Sequence, residues 1–210
     1  MNNNLTKQKI LTASIRLFNW NDTANVRLQQ IADETGISVG NLVYHFKNKE
    51  AIVSAVYETI FSEFYQLLSA YLSNPDLADF DQQMENYHRF FCKYKFYLID
   101  LYEVDRAYPQ IMERWQECFG KMLVQIRKRL DYNVSQGILQ PEPEPGMGIY
   151  NTMTNNISMT IVFWIPQQLL KGQPVNESKF KHSVWAQIAP HFTPKGLEEF
   201  KREIQPILLA

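Results

Sequence analysis

A short polar segment of this chain, YHFKNK at residues 44–49, combines groups that can bind phosphate. Lys47 and Lys49 supply ammonium groups on either side of Asn48, which can cap a following helix. The free backbone N–H groups of that helix and the two ammonium groups would then converge on one phosphate. Such contacts give affinity for a nucleic acid without reading its sequence.

The residues just before this segment can reach the edges of bases. Asn41 can pair with adenine through two hydrogen bonds, and Val39 can contact the methyl group of thymine. Gly40 lies between them and costs a helix about 1 kcal/mol relative to alanine. A close approach of the backbone to DNA is one reason to tolerate this glycine.

Two short helices around a tight turn must position these groups. In the first helix, Leu28, Ile31 and Ala32 form an apolar stripe at helical spacing. Gly36 can end that helix because glycine adopts a positive φ without steric cost, and Ser38 can cap the next one. The second helix has apolar contacts at Val39, Leu42, Val43 and Phe46.

The other side chains of the second helix, Asn41, Tyr44 and His45, are then available to point away from the core. This arrangement is a helix-turn-helix, whose second helix can enter a DNA major groove. An ordinary helical hairpin buried in an α-helical domain would explain the apolar spacing equally well. Periodicity alone therefore leaves both interpretations open.

The charge distribution is compatible with a DNA-binding N-terminal part. The whole chain has a net charge of −1, but residues 1–50 carry +2 and the remainder carries −3. The sign of this asymmetry is the one expected if the N-terminal part meets phosphate. The asymmetry is small and decides nothing alone.

Composition narrows the class of protein. The chain has 210 residues with 45% hydrophobic content, enough for one or two sizeable cores. The start, MNNNLTKQKI, lacks the apolar core of a signal peptide, and no apolar run is long enough to span a membrane. Cys92 and Cys118 are too few for a disulfide framework or a zinc site. We therefore expect a cytoplasmic protein with no metal, no cofactor and no membrane partner.

Residues 10–56 resemble the DNA-binding domain of the TetR family of bacterial transcriptional regulators. The run HFKNKEAI, at residues 45–52, is close to a signature of that family. The other resembling positions are Ile10, Leu11, Ala13, Leu17, Phe18, Ile31, Ala32, Gly36, Ser38, Gly40 and Leu42.

The resemblance implies roles for several exposed residues. Tyr44 and His45 match positions that commonly meet the DNA backbone, and Gln29 matches a position where the family often places a base-reading arginine. A solvated surface side chain is the alternative for each. The predicted DNA-binding set is Arg27, Gln29, Ser38, Val39, Gly40, Asn41, Tyr44, His45, Lys47 and Lys49.

Three positions depart from the family pattern. Asp22 stands where a glycine is usual, and Val43 stands where a tyrosine usually contacts phosphate. Val26 replaces a threonine that often helps to begin the second helix, so the cap of that helix would fall to Asn25 or Thr23. These changes leave the motif in place.

The rest of the chain is predicted to be helical, which makes the fold class all-α. An N-terminal helix-turn-helix domain at residues 1–48 precedes a larger helical domain at residues 49–210. The segment QPEPEPGMG is the clearest linker because its prolines cannot continue a helix. The later helices are predicted at residues 48–71, 82–101, 109–137, 147–171 with a kink or end near Pro166, 176–191 and 194–208.

Aromatic residues are dense in the larger domain, and most of them must be core. The family resemblance implies a pocket for a small apolar or aromatic effector in this domain. Plain packing remains the alternative for any one residue. The candidate pocket residues are Phe64, Tyr87, His88, Phe91, Tyr94, Trp115, Phe119 and Asn156.

Two late helices carry apolar stripes that could be core or interface. The resemblance implies a two-fold homodimer in which such helices of both chains pack as a four-helix bundle. The candidate interface residues are Met153, Ile157, Ile161, Trp164, Val184, Trp185 and Ile188. The basic run at residues 127–129 lies near a helix end, where the helix dipole explains it without DNA.

An enzyme is the less favoured interpretation. His88 could serve as a base for Cys92 or Cys118, and Glu103 could pair with Asp105. No glycine-rich phosphate loop, nucleophile elbow or metal cluster supports either arrangement. We therefore expect a ligand-responsive regulator, most simply a repressor that binds a palindromic operator as a homodimer. An activator or DNA-bound interaction platform without small-molecule control is the alternative.

Overall fold

A computed structural model of the protein describes residues 3–69, 75–99, 108–144 and 146–209. These residues are helical apart from connecting segments, and they contain no β-strand. The helices are α1 (Asn3–Asn25), α2 (Leu28–Thr35), α3 (Val39–His45), α4 (Lys49–Ser69), α5 (Leu77–Lys93), α6 (Lys95–Ile99), α7 (Pro109–Ser135), α8 (Ile149–Leu170), α9 (Glu177–Ile188), α10 (Pro194–Glu203) and α11 (Gln205–Leu209). The all-α class predicted from the sequence is confirmed. None of the described helices is long and apolar enough to cross a bilayer.

Several boundaries differ from the predicted ones. Helix α5 begins at Leu77, before the predicted residue 82, because the Asp76 carboxylate accepts a hydrogen bond from the Asp79 N–H at 2.9 Å. Helix α8 continues through Pro166 to Leu170. The last predicted helix is divided into α10 and α11 at Ile204.

The chain packs as two compact units. The first contains the described residues within 1–65 and 94–115, and the second contains those within 66–93 and 116–209. The first part of α4 packs with the first unit. The domain boundary between residues 48 and 49 stays a prediction.

The first unit has an apolar and aromatic core. Phe18 packs edge-on against Phe96, with 5.5 Å between ring centroids, and the Asn19 side chain accepts a hydrogen bond from the Phe96 N–H at 3.0 Å. Tyr97 packs against both Tyr57 and Trp115. These contacts fix α6 against α1 and α4 within the unit.

The second unit contains buried ion pairs. The Arg129 guanidinium donates to Asp79 at 2.9 Å, and the Lys181 ammonium lies 2.5 Å from Asp81. The Trp185 indole N–H donates to the other oxygen of Asp81 at 3.0 Å. Arg129 therefore serves the core of this unit, which corrects the expectation that the helix dipole accounts for its place.

Helix α1 contains one strained residue. Asp22 has φ 58° and ψ 153°, the only non-glycine residue with positive φ among those described. This backbone region is almost restricted to glycine because a Cβ clashes there. The glycine that the family places at this position thus has a physical reason, and Asp22 interrupts the helix at some energetic cost.

We expect Asp22→Gly to raise the free energy of unfolding by about 1 kcal/mol, because glycine relieves the strain at this φ. Urea unfolding followed by circular dichroism measures the change. Asp22→Asn controls for the lost charge, and Asn21→Gly controls for glycine in the adjacent helical turn, where it should destabilise. A loss of stability in Asp22→Gly would contradict the strain.

Candidate DNA-binding site

The turn between α2 and α3 has the predicted geometry. Gly36 adopts a left-handed φ of 69°, and the N–H groups of Gly36 and Ile37 donate to the last carbonyls of α2 at 3.1 and 3.0 Å. The Ser38 hydroxyl then accepts from the Asn41 N–H at 3.2 Å and caps α3. Two residues thus reverse the chain and satisfy backbone groups at both helix ends.

Helix α2 begins by a route that the sequence analysis missed. Its N-cap is Arg27, whose N–H donates to the Gln30 side chain at 2.7 Å. Asn25 and Thr23 are not the caps, which corrects that prediction. Val26 is buried and therefore supplies packing where the family often has a capping threonine. A glutamine three residues after the cap was the sequence signal for this arrangement.

Helix α3 has a buried side and an outward side. Leu42 is completely buried, whereas Tyr44 is 77% exposed and Asn41 and Gly40 are exposed. Val43 is 40% exposed and lies on the outward side, so the predicted apolar contact at this position is corrected. The outward side presents a phenol, an amide and a bare backbone to solvent.

Gly40 is unconstrained by the fold. A Cβ built at this position would meet, among the described residues, only the Ser38 hydroxyl at 3.9 Å, an ordinary contact. The packing of the described residues therefore gives no reason for glycine inside this helix. A surface that must approach another molecule closely gives one.

The predicted phosphate-binding residues have different environments. The Asn48 side chain accepts from the Ala51 N–H at 3.0 Å, which confirms the predicted cap of α4. Lys47 is exposed. Lys49 is half-buried and donates to the Ala24 carbonyl at 2.8 Å, and this burial lowers the pKa of its ammonium group. Lys49 therefore ties α4 to the end of α1, a role that the sequence did not indicate.

Two further candidate residues contact their neighbours. The Gln29 amide donates to the Asp33 carboxylate at 2.7 Å along the exposed face of α2. The Tyr44 and His45 rings meet edge to face at 5.3 Å. His45 Nδ1 is buried and has no hydrogen-bond partner among the described residues. The α2–α3 surface thus holds Gln29, Asn41, Tyr44 and Lys47 outward.

The predicted effector residues divide between the two units. Phe64, Tyr94 and Trp115 are buried in the first unit, where Phe64 and Trp115 pack at 5.4 Å. Burial raises the pKa of the Tyr94 hydroxyl. In the second unit, Tyr87, His88 and Phe91 are buried along α5, Phe119 is half-buried on α7, and Asn156 is exposed on α8.

Tyr87 is the most deeply buried polar side chain of the α5 group. Burial raises the pKa of its hydroxyl to about 12, so the phenol is neutral at physiological pH. Asn156 lies apart from this group in a surface hollow that Met153 and Gln187 also line.

Most of the predicted dimer residues lie inside the chain. The structure buries six of the seven within the second unit, although Met153 also lines the surface hollow, so their assignment to a dimer interface stays a prediction. Trp164 is the half-buried exception. The six are Met153, Ile157, Ile161, Val184, Trp185 and Ile188. The large apolar side chains that α8 exposes are Met159 and Phe163, and Leu169 and Leu170 at its end.

The fold and the α2–α3 surface define a helix-turn-helix protein whose second helix faces outward. A model described as bacterial regulatory proteins of the tetR family matches residues 10–56, and the TetR model, described as bacterial transcriptional repressor, matches residues 57–200. The chain therefore belongs to the TetR family. Regulators of this family are DNA-binding transcription factors and not enzymes.

Similar proteins agree with this membership. Over 55 residues the chain is 44% identical to YerO, an uncharacterized HTH-type transcriptional regulator of Bacillus subtilis; the match covers 26% of this chain and 19% of that protein. A TetR-family regulator from Marinobacter aquaeolei superposes with a TM-score of 0.78 at 25% identity, covering 90% of this chain and 92% of that one. A gamma-butyrolactone receptor shares the fold with a TM-score of 0.61 at 15% identity, covering 93% and 91%.

Gly40→Ala should separate folding from DNA binding. We expect an unchanged or higher free energy of unfolding, by up to about 1 kcal/mol, because alanine favours a helix. Affinity for DNA selected by the wild-type protein should fall by about tenfold or more if the backbone approaches DNA closely. Fluorescence anisotropy and urea unfolding measure the two effects.

Gly120→Ala is the matched control, because Gly120 lies within α7 with open space around a built Cβ. It should stabilise the chain similarly and leave DNA affinity unchanged. Full DNA affinity in Gly40→Ala would contradict the close approach.

Lys47 and Asn41 should affect DNA binding in different ways. Lys47→Ala should weaken binding to all sequences and reduce the slope of log K against log salt by about one, since one phosphate contact is lost. Asn41→Ala should relax base preference at one position, at a cost of about 1–3 kcal/mol there. Selection from random DNA and titrations at several salt concentrations distinguish the two. Equal salt slopes for wild type and Lys47→Ala would remove Lys47 from the interface.

Proposed function

We propose that this chain is a cytoplasmic repressor that binds a palindromic operator as a homodimer and is released by a small-molecule effector. The observation that carries the proposal is the outward side of α3. Asn41 and Tyr44 point to solvent there, and the backbone at Gly40 is unobstructed. The description of the matching family model as a transcriptional repressor supports the sign of regulation. The predicted DNA-binding set is kept, with Lys47 in place of Lys49 as the clearest phosphate ligand.

A homodimer supplies two copies of α3, one for each half of a palindromic operator. The exposed part of α8 supports such an interface. Phe163 is 44% exposed beside Met159, and a groove between α8 and α9 runs along both. Trp164 lines the same groove, and its buried indole N–H has no hydrogen-bond partner among the described residues. A second copy of the chain would cover the exposed apolar residues of this groove.

The effector site is proposed within the second unit, around Tyr87, His88 and Phe91 on α5. Aromatic side chains and a neutral phenol suit a small apolar or aromatic compound. The buried carboxylates Asp79 and Asp81 of the same helix are already paired with cations. The Glu177 carboxylate lies 3.6 Å from His88 Nδ1, so this side of the proposed site is not purely apolar.

Release of DNA requires that the effector bind more tightly to the arrangement that cannot bind the operator. The difference is roughly 1–3 kcal/mol in typical allosteric proteins. The alternative function is an activator or interaction platform without small-molecule control. The response of the DNA complex to candidate ligands separates the two.

The proposal is tested by selecting genomic DNA fragments with the purified full chain and then titrating the best site at two salt concentrations. A palindromic site with salt-sensitive affinity supports the regulator, and transcription from that site in vitro gives the sign. Enrichment of a single half-site would argue against the homodimer. The absence of any enrichment would argue against operator binding.

Phe163→Asp should convert the homodimer into a monomer, because a charge would be buried at the α8 surface. Light scattering after size-exclusion chromatography measures the mass. Val124→Asp is the matched control, since Val124 is similarly exposed on α7. A wild-type mass of one chain, or an unchanged dimer in Phe163→Asp, would contradict this interface.

A further inference from the structure

Three side chains that can act together lie between α5 and α9 in the second unit. The Cys92 sulfur is 3.7 Å from His88 Nε2 and 3.9 Å from His88 Nδ1. His88 Nδ1 is in turn 3.6 Å from a carboxylate oxygen of Glu177. A nucleophile, a base and a carboxylate that can orient the base thus lie one after another in space.

His88 is held in place and suited to accept a proton. It is 8% exposed, and the Phe180 ring packs against it at 5.3 Å between centroids with a tilt of 32°. Burial lowers the pKa of the imidazole, so His88 is neutral at physiological pH. A proton taken up by the ring would be stabilised by the neighbouring Glu177 carboxylate.

Cys92 differs from the other cysteine. Cys118 is fully buried, whereas Cys92 is partly exposed. Cys92 lies in the last turn of α5, where the helix dipole disfavours the deprotonated thiolate form of its side chain. Attack by its sulfur is therefore favoured when the proton leaves at the same time, which requires a base within reach.

We propose that Cys92 is a site of covalent modification by small α,β-unsaturated carbonyl compounds, with His88 as the proton acceptor and Glu177 as a positioning residue. The thiol sulfur forms a bond to the β-carbon while the S–H bond breaks and the proton passes to His88. The carbon–carbon π electrons move to the α-carbon, which then takes the proton back from the imidazolium. The product is a neutral thioether. The step has no leaving group and consumes no oxidant or reductant.

The chemistry favours a conjugated carbonyl because the addition needs a base and then an acid, and one histidine supplies both. The reaction consumes one equivalent and is not catalysis. The reaction also requires no DNA. If Cys92 does not react as proposed, the proposed operator binding still stands, and if operator binding fails, the Cys92 site still stands.

The test uses N-ethylmaleimide as the probe on the full chain, with the rate at each cysteine followed by mass spectrometry. We expect labelling at Cys92 before Cys118, and a rate about 100-fold lower in His88→Gln, the lower range for general-base assistance. Glu177→Gln should also be slower, and Glu177→Asp should recover part of the rate because it restores a carboxylate. Arg89→Gln is the matched control, because Arg89 is an exposed neighbour of His88 on α5.

Equal rates in the wild type and a folded His88→Gln variant would overturn the proposal. If His88→Gln fails to fold, as judged by circular dichroism, the Glu177→Gln rate decides alone: a slower rate supports the arrangement and an unchanged rate overturns it. Hydrogen peroxide is tested in parallel. Faster oxidation than alkylation of Cys92 would overturn the assigned class of electrophile.

Discussion

The predicted DNA-binding surface depends on the fact that a helix of seven residues cannot persist alone in water. Helix α3 is held by a cap at its start, by the reversal at Gly36 and by burial of Leu42. The Arg16–Glu34 pair at 2.7 Å and the Lys49 bond to Ala24 add contacts between α1 and the elements around the turn. The outward side chains can therefore remain free for DNA because none of them is needed to keep the helix formed.

Local chemistry was predictable from the sequence where it involved neighbours in the chain. Gly36, Ser38 and Asn48 act as predicted because turns and caps are set within a few residues. Burial was less predictable. An apolar stripe shows which face of a helix is covered but not by what, and the structure buries Ile157, a predicted interface residue, within the second unit.

Contacts between distant segments were the least predictable. Lys49 and Ala24 are separated by 25 residues, and Arg129 and Asp79 by 50, so no local pattern indicates either pair. Position near a helix end suggested that the helix dipole accounts for Arg129, whereas its guanidinium pairs with the buried Asp79 carboxylate. The sequence shows the charge of such a residue but not its partner.

The two buried carboxylates of α5 have a mechanical consequence. Asp79 and Asp81 are two residues apart and so lie on different faces of the helix, one paired with α7 and the other with α9. A small rotation or slide of α5 would separate at least one of these pairs and leave a charge without a partner in the core. Buried ion pairs on two faces of α5 thereby hold α7 and α9 in fixed positions against it. Any rearrangement in this part of the molecule should carry the three helices as a block rather than shear them past one another.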